Sequence, residues 1–256
     1  MIDVHSHILH GIDDGPTEIE ESLEMARIAA ADGTKTIIAT PHAPGPRTYT
    51  ADLLRQRLAE LREAIQQEAI PLEVLPGNEL FYNANLVEML HTGAFLTYNN
   101  TRTVLIETYI AEPFPRDFRQ AVYDLQIAGY RVVLAHPERI SDVQDDPNIL
   151  IPLIERGVLM QLTAQALTGE QGKQMQSLTE KLVKHHLVHL IASDAHGVSY
   201  RPPRLSEAYE HTVSLVGEKT AQAMMRDVPA ALINGERPDL PEPQRVAEHR
   251  KHWFWW

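Results

Sequence analysis

Short β-branched runs alternate with segments of helical period along most of the chain, and that rhythm leaves few architectures open. Strands are expected at 2–5 (IDVH), 35–39 (KTIIA), 72–75 (LEVL), 103–107 (TVLIE), 131–135 (RVVLA), 158–162 (VLMQL) and 188–192 (VHLIA). Helices are expected near 18–32, 52–68, 116–128, 147–156 and 172–186, with a shorter one over 85–91 and more around 205–234. Thr17 and Glu20 fit a capping box at the first helix, and Gly33, Gly129 and Gly157 fall where helices should stop. Strands that each feed a helix run parallel, so the fold class is α/β. A closed or nearly closed barrel in a single domain suits the 256 residues. A doubly wound open sheet is the alternative, but no Gly-rich phosphate loop follows the first strand.

Composition removes whole classes of chemistry. Zero Cys excludes disulfides, thiolate metal sites and cysteine nucleophiles together. A formal charge of −12 disfavours general binding to nucleic acid phosphates. No run approaches the ~18 apolar residues of a membrane span. MIDVHSHILHG lacks a basic segment followed by an apolar one, so the expectation is a cytoplasmic protein. Pro238, Pro241 and Pro243 divide the chain into a barrel, 1–236, and a linker with an aromatic tail, 237–256. Packing of that tail on its own barrel is the default; self-association into a homo-oligomer or contact with a membrane surface are the alternatives.

The polar residues then fall where a parallel barrel would gather them. His5 and His7 end the first strand, His42 follows the second, Glu79 follows the third and Glu107 ends the fourth. His136 follows the fifth, and Asp194 with His196 follows the last. All those strand ends face one side of a barrel. His5 and His7, two apart, share a strand face and can grip one ion, and Asp14 in the first loop can reach the same rim. Asp14, Glu79, Glu107 and Asp194 would repel one another in a shared pocket unless divalent cations neutralise them. Imidazole with carboxylate and no thiolate suits Mn, Fe or Zn without choosing among them. Two ions ~3.5–4 Å apart can acidify a shared water and direct hydroxide at phosphorus. The segment LMQLTAQALTG, at the sixth strand, offers no ligand of this kind. His10, His91, His185, His186, His189, His211, His249 and His252 read as ordinary histidines. Asp13 is a possible proton donor, although a carboxylate at the start of a helix is the simpler reading. Phe81, Tyr82, Tyr109, Phe114 and Tyr200 stand near the expected rim, where they either flank an aromatic ring or pack.

In order, HSH, GIDDG, TPH, GNE, LIE, AHPER and SDAH resemble the PHP (polymerase and histidinol phosphatase) superfamily. Within it the chain is most similar to the metal-dependent tyrosine phosphatases of bacterial capsule and exopolysaccharide operons. The resemblance runs from Met1 to about Asn234 and implies a distorted (β/α)7 barrel holding two to three divalent ions, often manganese. It implies that His5, His7, Glu79 and Asp194 hold one ion, that Glu79, Glu107 and His136 hold a second, and that Asp14, His42 and His196 hold the third. It assigns Arg139 and Arg201 to phosphate binding, as a guanidinium can fork two phosphate oxygens. The implied substrate is phosphotyrosine in the tail of a membrane-associated bacterial tyrosine kinase. A small-molecule phosphatase acting on histidinol phosphate is the alternative within the fold, and a nuclease suits the −12 charge less well. A non-catalytic module docking on a kinase would need a broken ligand set, and every position named here carries a competent donor.

Overall fold

The computed structural model describes residues 1–43 and 49–247. Each expected strand forms: β1 (Ile2–Ser6), β2 (Thr36–Ala39), β4 (Glu73–Pro76), β6 (Thr103–Glu107), β7 (Arg131–Ala135), β8 (Leu159–Thr163) and β9 (Leu190–Ala192). Two short strands, β3 (His42–Ala43) and β5 (Glu79–Phe81), continue β2 and β4 after brief interruptions. Pro41 has no N–H to give a ladder, which accounts for the first break. At the second, Gly77 passes so close to β2 that an added Cβ would lie 2.7 Å from Ile38 Cγ2.

All ladders are parallel, in the orders β1–β2–β4 and β3–β5–β6–β7–β8–β9. They form one path because β2 runs into β3 and β4 into β5. Beyond β9 the path returns to its start: Asp194 N–H donates to His5 O and His7 N–H to Ala195 O, both at 2.8 Å. Ser6 and Ala195 form a parallel bridge between them. The result is the expected distorted (β/α)7 barrel, in one domain.

Helices cover the outer faces of the strands. α1 (Ile19–Ala31) and α2 (Ala51–Gln67) bury Met25, Ala26, Leu54, Leu58, Leu61 and Ile65 against Ile37 and Val74. The spacing of Leu54, Leu58, Leu61 and Ile65 keeps one α2 face apolar. α3 (Leu86–His91) and α4 (Phe118–Ile127) pack into the larger apolar cluster through Leu86, Leu90, Phe118, Val122 and Leu125. Longer helices follow at Lys173–Lys184 and Ser206–Val216, with shorter ones to Ile233. Among the described residues no helix is long and apolar enough to cross a membrane.

The helix stops fall at the expected glycines, Gly33, Gly129 and Gly157, with φ of 95°, 86° and 85°. The expected capping box is corrected: the N-cap of α1 is Glu18, and it makes no side-chain cap bond. Thr17 therefore lies one residue outside the cap, too far back to serve the first turn. Residues 237–247 contain no helix or strand. They are tied down where Gln244 N–H donates to His185 O and Val246 N–H to Asn148 Oδ1, each at 2.8 Å. The aromatic end of the tail lies outside the described residues, as do His249 and His252.

Candidate metal centre

The structure brings all nine candidate ligands to one mouth of the barrel. His5 Nε2 and His7 Nε2 lie 3.2 Å apart, each 3.3 Å from Glu79 Oε2. Asp194 Oδ1 lies 3.3 and 3.4 Å from the same two nitrogens. His136 Nε2 is 2.8 Å from Glu79 Oε1 and 3.9 Å from Glu107 Oε2. Asp14 Oδ1 is 3.6 Å from His42 Nε2 and 3.4 Å from His196 Nε2. His42 spans two groups, because its Nδ1 also lies 3.0 Å from Glu79 and 2.9 Å from Glu107. Three sets have donor atoms within 4.8 Å of one another: His5–His7–Glu79, His42–Glu79–Glu107 and His7–Asp14–His42–His196.

Two residues not assigned to this shell from the sequence, Gln161 and Asp13, orient it. His5 Nδ1 lies 2.7 Å from Gln161 Oε1, and His7 Nδ1 lies 2.7 Å from Asp13 Oδ2. Each ring nitrogen donates to its oxygen, which leaves the Nε2 lone pair facing the cluster. His196 does the same through Nδ1 to the Asp194 carbonyl at 2.9 Å. Gln161 comes from β8, the strand whose sequence offered no ligand. The reading of Asp13 as a carboxylate at the start of a helix is corrected: the first helix begins at Ile19, and Asp13 is buried against His7. Its carboxylate also accepts from Gly15 N–H at 3.1 Å and His42 N–H at 3.0 Å. Gly15 makes this turn possible, because an added Cβ would lie 2.2 Å from His7 O. The signal for Asp13 was its place beside Asp14 in GIDDG; Gln161 had only its inward alternation on β8.

A cation suits this arrangement. Glu79 Oε2 and His42 Nδ1 are buried 3.0 Å apart, yet neither is aligned for a hydrogen bond with any described residue. Lone pairs of His5 and His7 point at that carboxylate oxygen, which is repulsive unless positive charge lies between them. In the protein alone, protons must supply it. Burial opposes protonation of His7, yet the Asp13, Asp194 and Glu79 carboxylates raise its pKa well above the usual value. His42 is pushed up to about 10, with Glu107 and Glu79 outweighing burial. Burial would raise Glu79 and Asp194, but His5 above all holds both well below the carboxylate range. Divalent ions would neutralise the same oxygens in place of those protons, and the mixed nitrogen and oxygen donors suit them.

Both arginines reach the cluster. Arg139 Nη2 lies 2.8 Å from Asp194 Oδ2, and Arg201 is hydrogen-bonded to the same oxygen. Arg201 also approaches His196 Nε2 at 3.5 Å. The backbone is left-handed at His136, Asp194 and Arg201, with φ of 31°, 50° and 51°. Such conformations persist where surrounding contacts enforce them. Phe81 and Tyr109 meet edge to face at 5.1 Å, and Tyr109 and Tyr200 are exposed. Tyr82 and Phe114 instead pack against Phe118 at 5.6 and 5.0 Å. Of the other histidines, His10 pairs with Glu60 and His211 with Glu180, while His185 bonds the Lys181 carbonyl.

The CpsB/CapC family model, described as capsular polysaccharide synthesis, matches residues 1–234. Tyrosine-protein phosphatase YwqE of Bacillus subtilis (strain 168) is 40% identical over 209 residues, 81% of this chain and 82% of that protein. Tyrosine-protein phosphatase CpsB of Streptococcus agalactiae serotype III is 29% identical over 230 residues, 88% of this chain and 94% of its own. A crystal structure from a study of YwqE from B. subtilis and CpsB from Streptococcus pneumoniae, described there as unique metal-dependent tyrosine phosphatases, matches with a TM-score of 0.92. It is 35% identical and covers 97% of this chain and 100% of that one.

Proposed function

The chain belongs to the CpsB/CapC capsular polysaccharide synthesis family, and from that premise we propose that it is a metal-dependent tyrosine-protein phosphatase. The buried carboxylates of Glu79 and Asp194, faced by imidazole lone pairs and flanked by two guanidinium groups, carry this reading. His5, His7, Glu79 and Asp194 would hold one ion, Glu79, Glu107 and His136 a second, and Asp14, His42 and His196 a third. We assign two to three divalent ions, with manganese the first choice and iron or zinc compatible with the donors. Such ions supply Lewis-acid polarisation of a phosphoryl group and acidify water near neutral pH.

The chain's own residues do the rest. Gln161 and Asp13 fix which nitrogen His5 and His7 turn inward. Arg139 and Arg201 take two phosphate oxygens and offset the charge that develops on them, turning from Asp194 toward the ester. A tyrosine phenolate, with a pKa of ~10, leaves without a strong acid, so no side chain need be assigned as proton donor. Exposed Tyr109 and Tyr200 stand on loops beside Glu107 and Arg201 and can flank the substrate ring. The substrate we infer is the phosphotyrosine tail of a membrane-associated bacterial tyrosine kinase, met in the cytoplasm.

Turnover of a phosphotyrosine peptide should vanish on chelation and return with Mn²⁺. Thiol alkylation should leave it untouched, since the chain has no cysteine to form a phosphoenzyme. The peptide should also be hydrolysed faster than histidinol phosphate. Full activity in metal-stripped protein, or preference for histidinol phosphate, would overturn the assignment.

A further inference from the structure

Glu138 lies between His136 and Arg139, is fully buried, and takes no part in the ligand sets above. Its Oε1 accepts from both Thr163 N–H at 3.0 Å and Thr163 Oγ1–H at 2.5 Å, at the C-terminal end of β8. Its Oε2 has no hydrogen-bond partner among the described residues. Burying a carboxylate with one oxygen unmatched is expensive, and an apolar side chain would fill the space at lower cost. Further bonds hold the turn around it. The carbonyl of His136 accepts from Arg139 N–H at 3.0 Å, and that of Pro137 from Ile140 N–H at 3.1 Å. Gln144 Nε2 donates to Glu138 O at 2.9 Å, and Ala111 N–H to Arg139 O at 2.8 Å. Those bonds tie the turn to itself, to its downstream helix and to the loop after β6. Among these bonds, the Glu138 side chain alone holds it to β8. The left-handed φ of 31° at His136 makes such over-determination necessary.

We propose that Glu138 is a positioning residue: by accepting both donors of Thr163, it fixes the turn that aims the Arg139 guanidinium across the barrel mouth at the phosphate position. β8 thus orients the site from two points, Gln161 on His5 and Thr163 on Glu138, although it contributes no ligand. Two donors converge on one oxygen, so Glu138→Gln preserves the link and puts an amide where Oε2 is unpartnered. Glu138→Leu removes the link without leaving a buried charge.

This rests on the phosphatase reading, and its test is a double-mutant cycle on metal-loaded protein. It measures kcat/KM for a phosphotyrosine peptide, affinity for inorganic phosphate, and bound metal. A displaced arginine loses a large part of its effect, since ~1 Å of misplacement costs on the order of 10²-fold. Glu138→Leu should lower kcat/KM and phosphate affinity by about tenfold in the native background and by less than about twofold beside Arg139→Ala, the mark of residues acting through one another. Metal content should stay at the native level. Glu138→Gln and Thr163→Ser should stay within about threefold of the native enzyme, because both keep the donors and acceptor in place. Equal losses in the two backgrounds, or loss of metal in Glu138→Leu, would overturn the proposal, as would Glu138→Gln failing as badly as Glu138→Leu. Should Glu138→Leu not fold, Thr163→Val replaces it in the cycle, removing the hydroxyl donor alone. If the native enzyme does not hydrolyse the peptide, the phosphatase reading fails, and the phosphate-affinity cycle still decides the role of Glu138.

Discussion

The two ends of the barrel interior are built from the same strands and obey opposite rules. At the floor, Val4, Ile38, Leu105, Val133, Leu159 and Leu190 close on Tyr98, Val228 and Leu232 in one apolar cluster. At the mouth, the same inward alternation presents Glu79, Glu107 and Gln161. Leu105 pairs with Val133 and Glu79, and Gln161 pairs with Ala135 and Leu190. Leu105 and Glu107 are thus neighbours on one face of β6, one at the floor and one at the mouth, a single two-residue period apart. The floor is stabilised by excluding water, and it needs nothing from outside the chain. The Tyr98 hydroxyl is buried there with no partner among the described residues; burial and the charges of Glu79 and Asp3 push its pKa well up, so it stays neutral. The mouth gathers charges that cannot balance without protons or cations. Stability and activity should therefore separate along the barrel axis.

The largest effects should come from the mouth. His136→Ala deletes the imidazole beside Glu79, so it should lower the bound metal by one ion and remove nearly all turnover. The metal-free variant should unfold at nearly the same denaturant concentration as metal-free native protein. Metal analysis beside a urea titration checks this, and full metal with native turnover would remove His136 from the centre. The converse change lies at the floor. Leu105→Ala should cost about 2–5 kcal/mol of stability through transfer and cavity terms. Turnover by the folded fraction, and its metal content, should change little. Metal loss in that variant would show that floor and mouth cannot be separated.

The pattern of the floor was legible because it depends on period and residue type alone. β-branched runs gave the strands, and parallel connections turned their C-terminal ends to one side, which made the positions of His5, His42, Glu107 and His136 readable before any coordinates. The orienting residues were not readable in the same way. Asp13 and Asp14 are adjacent and chemically alike, yet Asp13 is buried and bonds His7 Nδ1 at 2.7 Å, while Asp14 stays half exposed, 3.9 Å from the same nitrogen. That division is made by the tight turn at Gly15, a three-dimensional approach with no signature in spacing. Gln161 was hidden for a different reason. An amide on a buried strand reads as a tolerated polar residue until its partner across the barrel is known. The failed capping box at Thr17 has the same origin, since a one-residue shift in where α1 begins decides whether a hydroxyl can reach the first turn.

Histidines at the two ends give the smallest and most discriminating contrast. At the mouth, carboxylates raise His7 and His42, so their pairing stabilises the metal-free fold in acid and is lost as pH rises through about 10 for His42. At the other end of the strands, His189 precedes β9 and is pushed down to about 4, first by burial and then by His186. Geometry enforces the neutral form as well. His189 Nδ1 accepts Met160 N–H at 3.0 Å, so a second proton would set two donors against each other. The unfolded chain takes up that proton near pH 6.5. Between pH 6.5 and about 4 the unfolded state therefore binds more protons at His189 than the fold does, and stability falls as pH falls through that window. His189→Gln keeps an acceptor for Met160 but does not titrate. Relative to native protein, it should spare about 2 kcal/mol of the loss between pH 7 and pH 5, the linkage value for a shift of this size. Urea titrations of both metal-free proteins across that range check it, because the titrations of the mouth cancel in the difference. Parallel stability curves would mean that His189 accepts its proton in the fold, and that end of the strands would then share the electrostatics of the mouth.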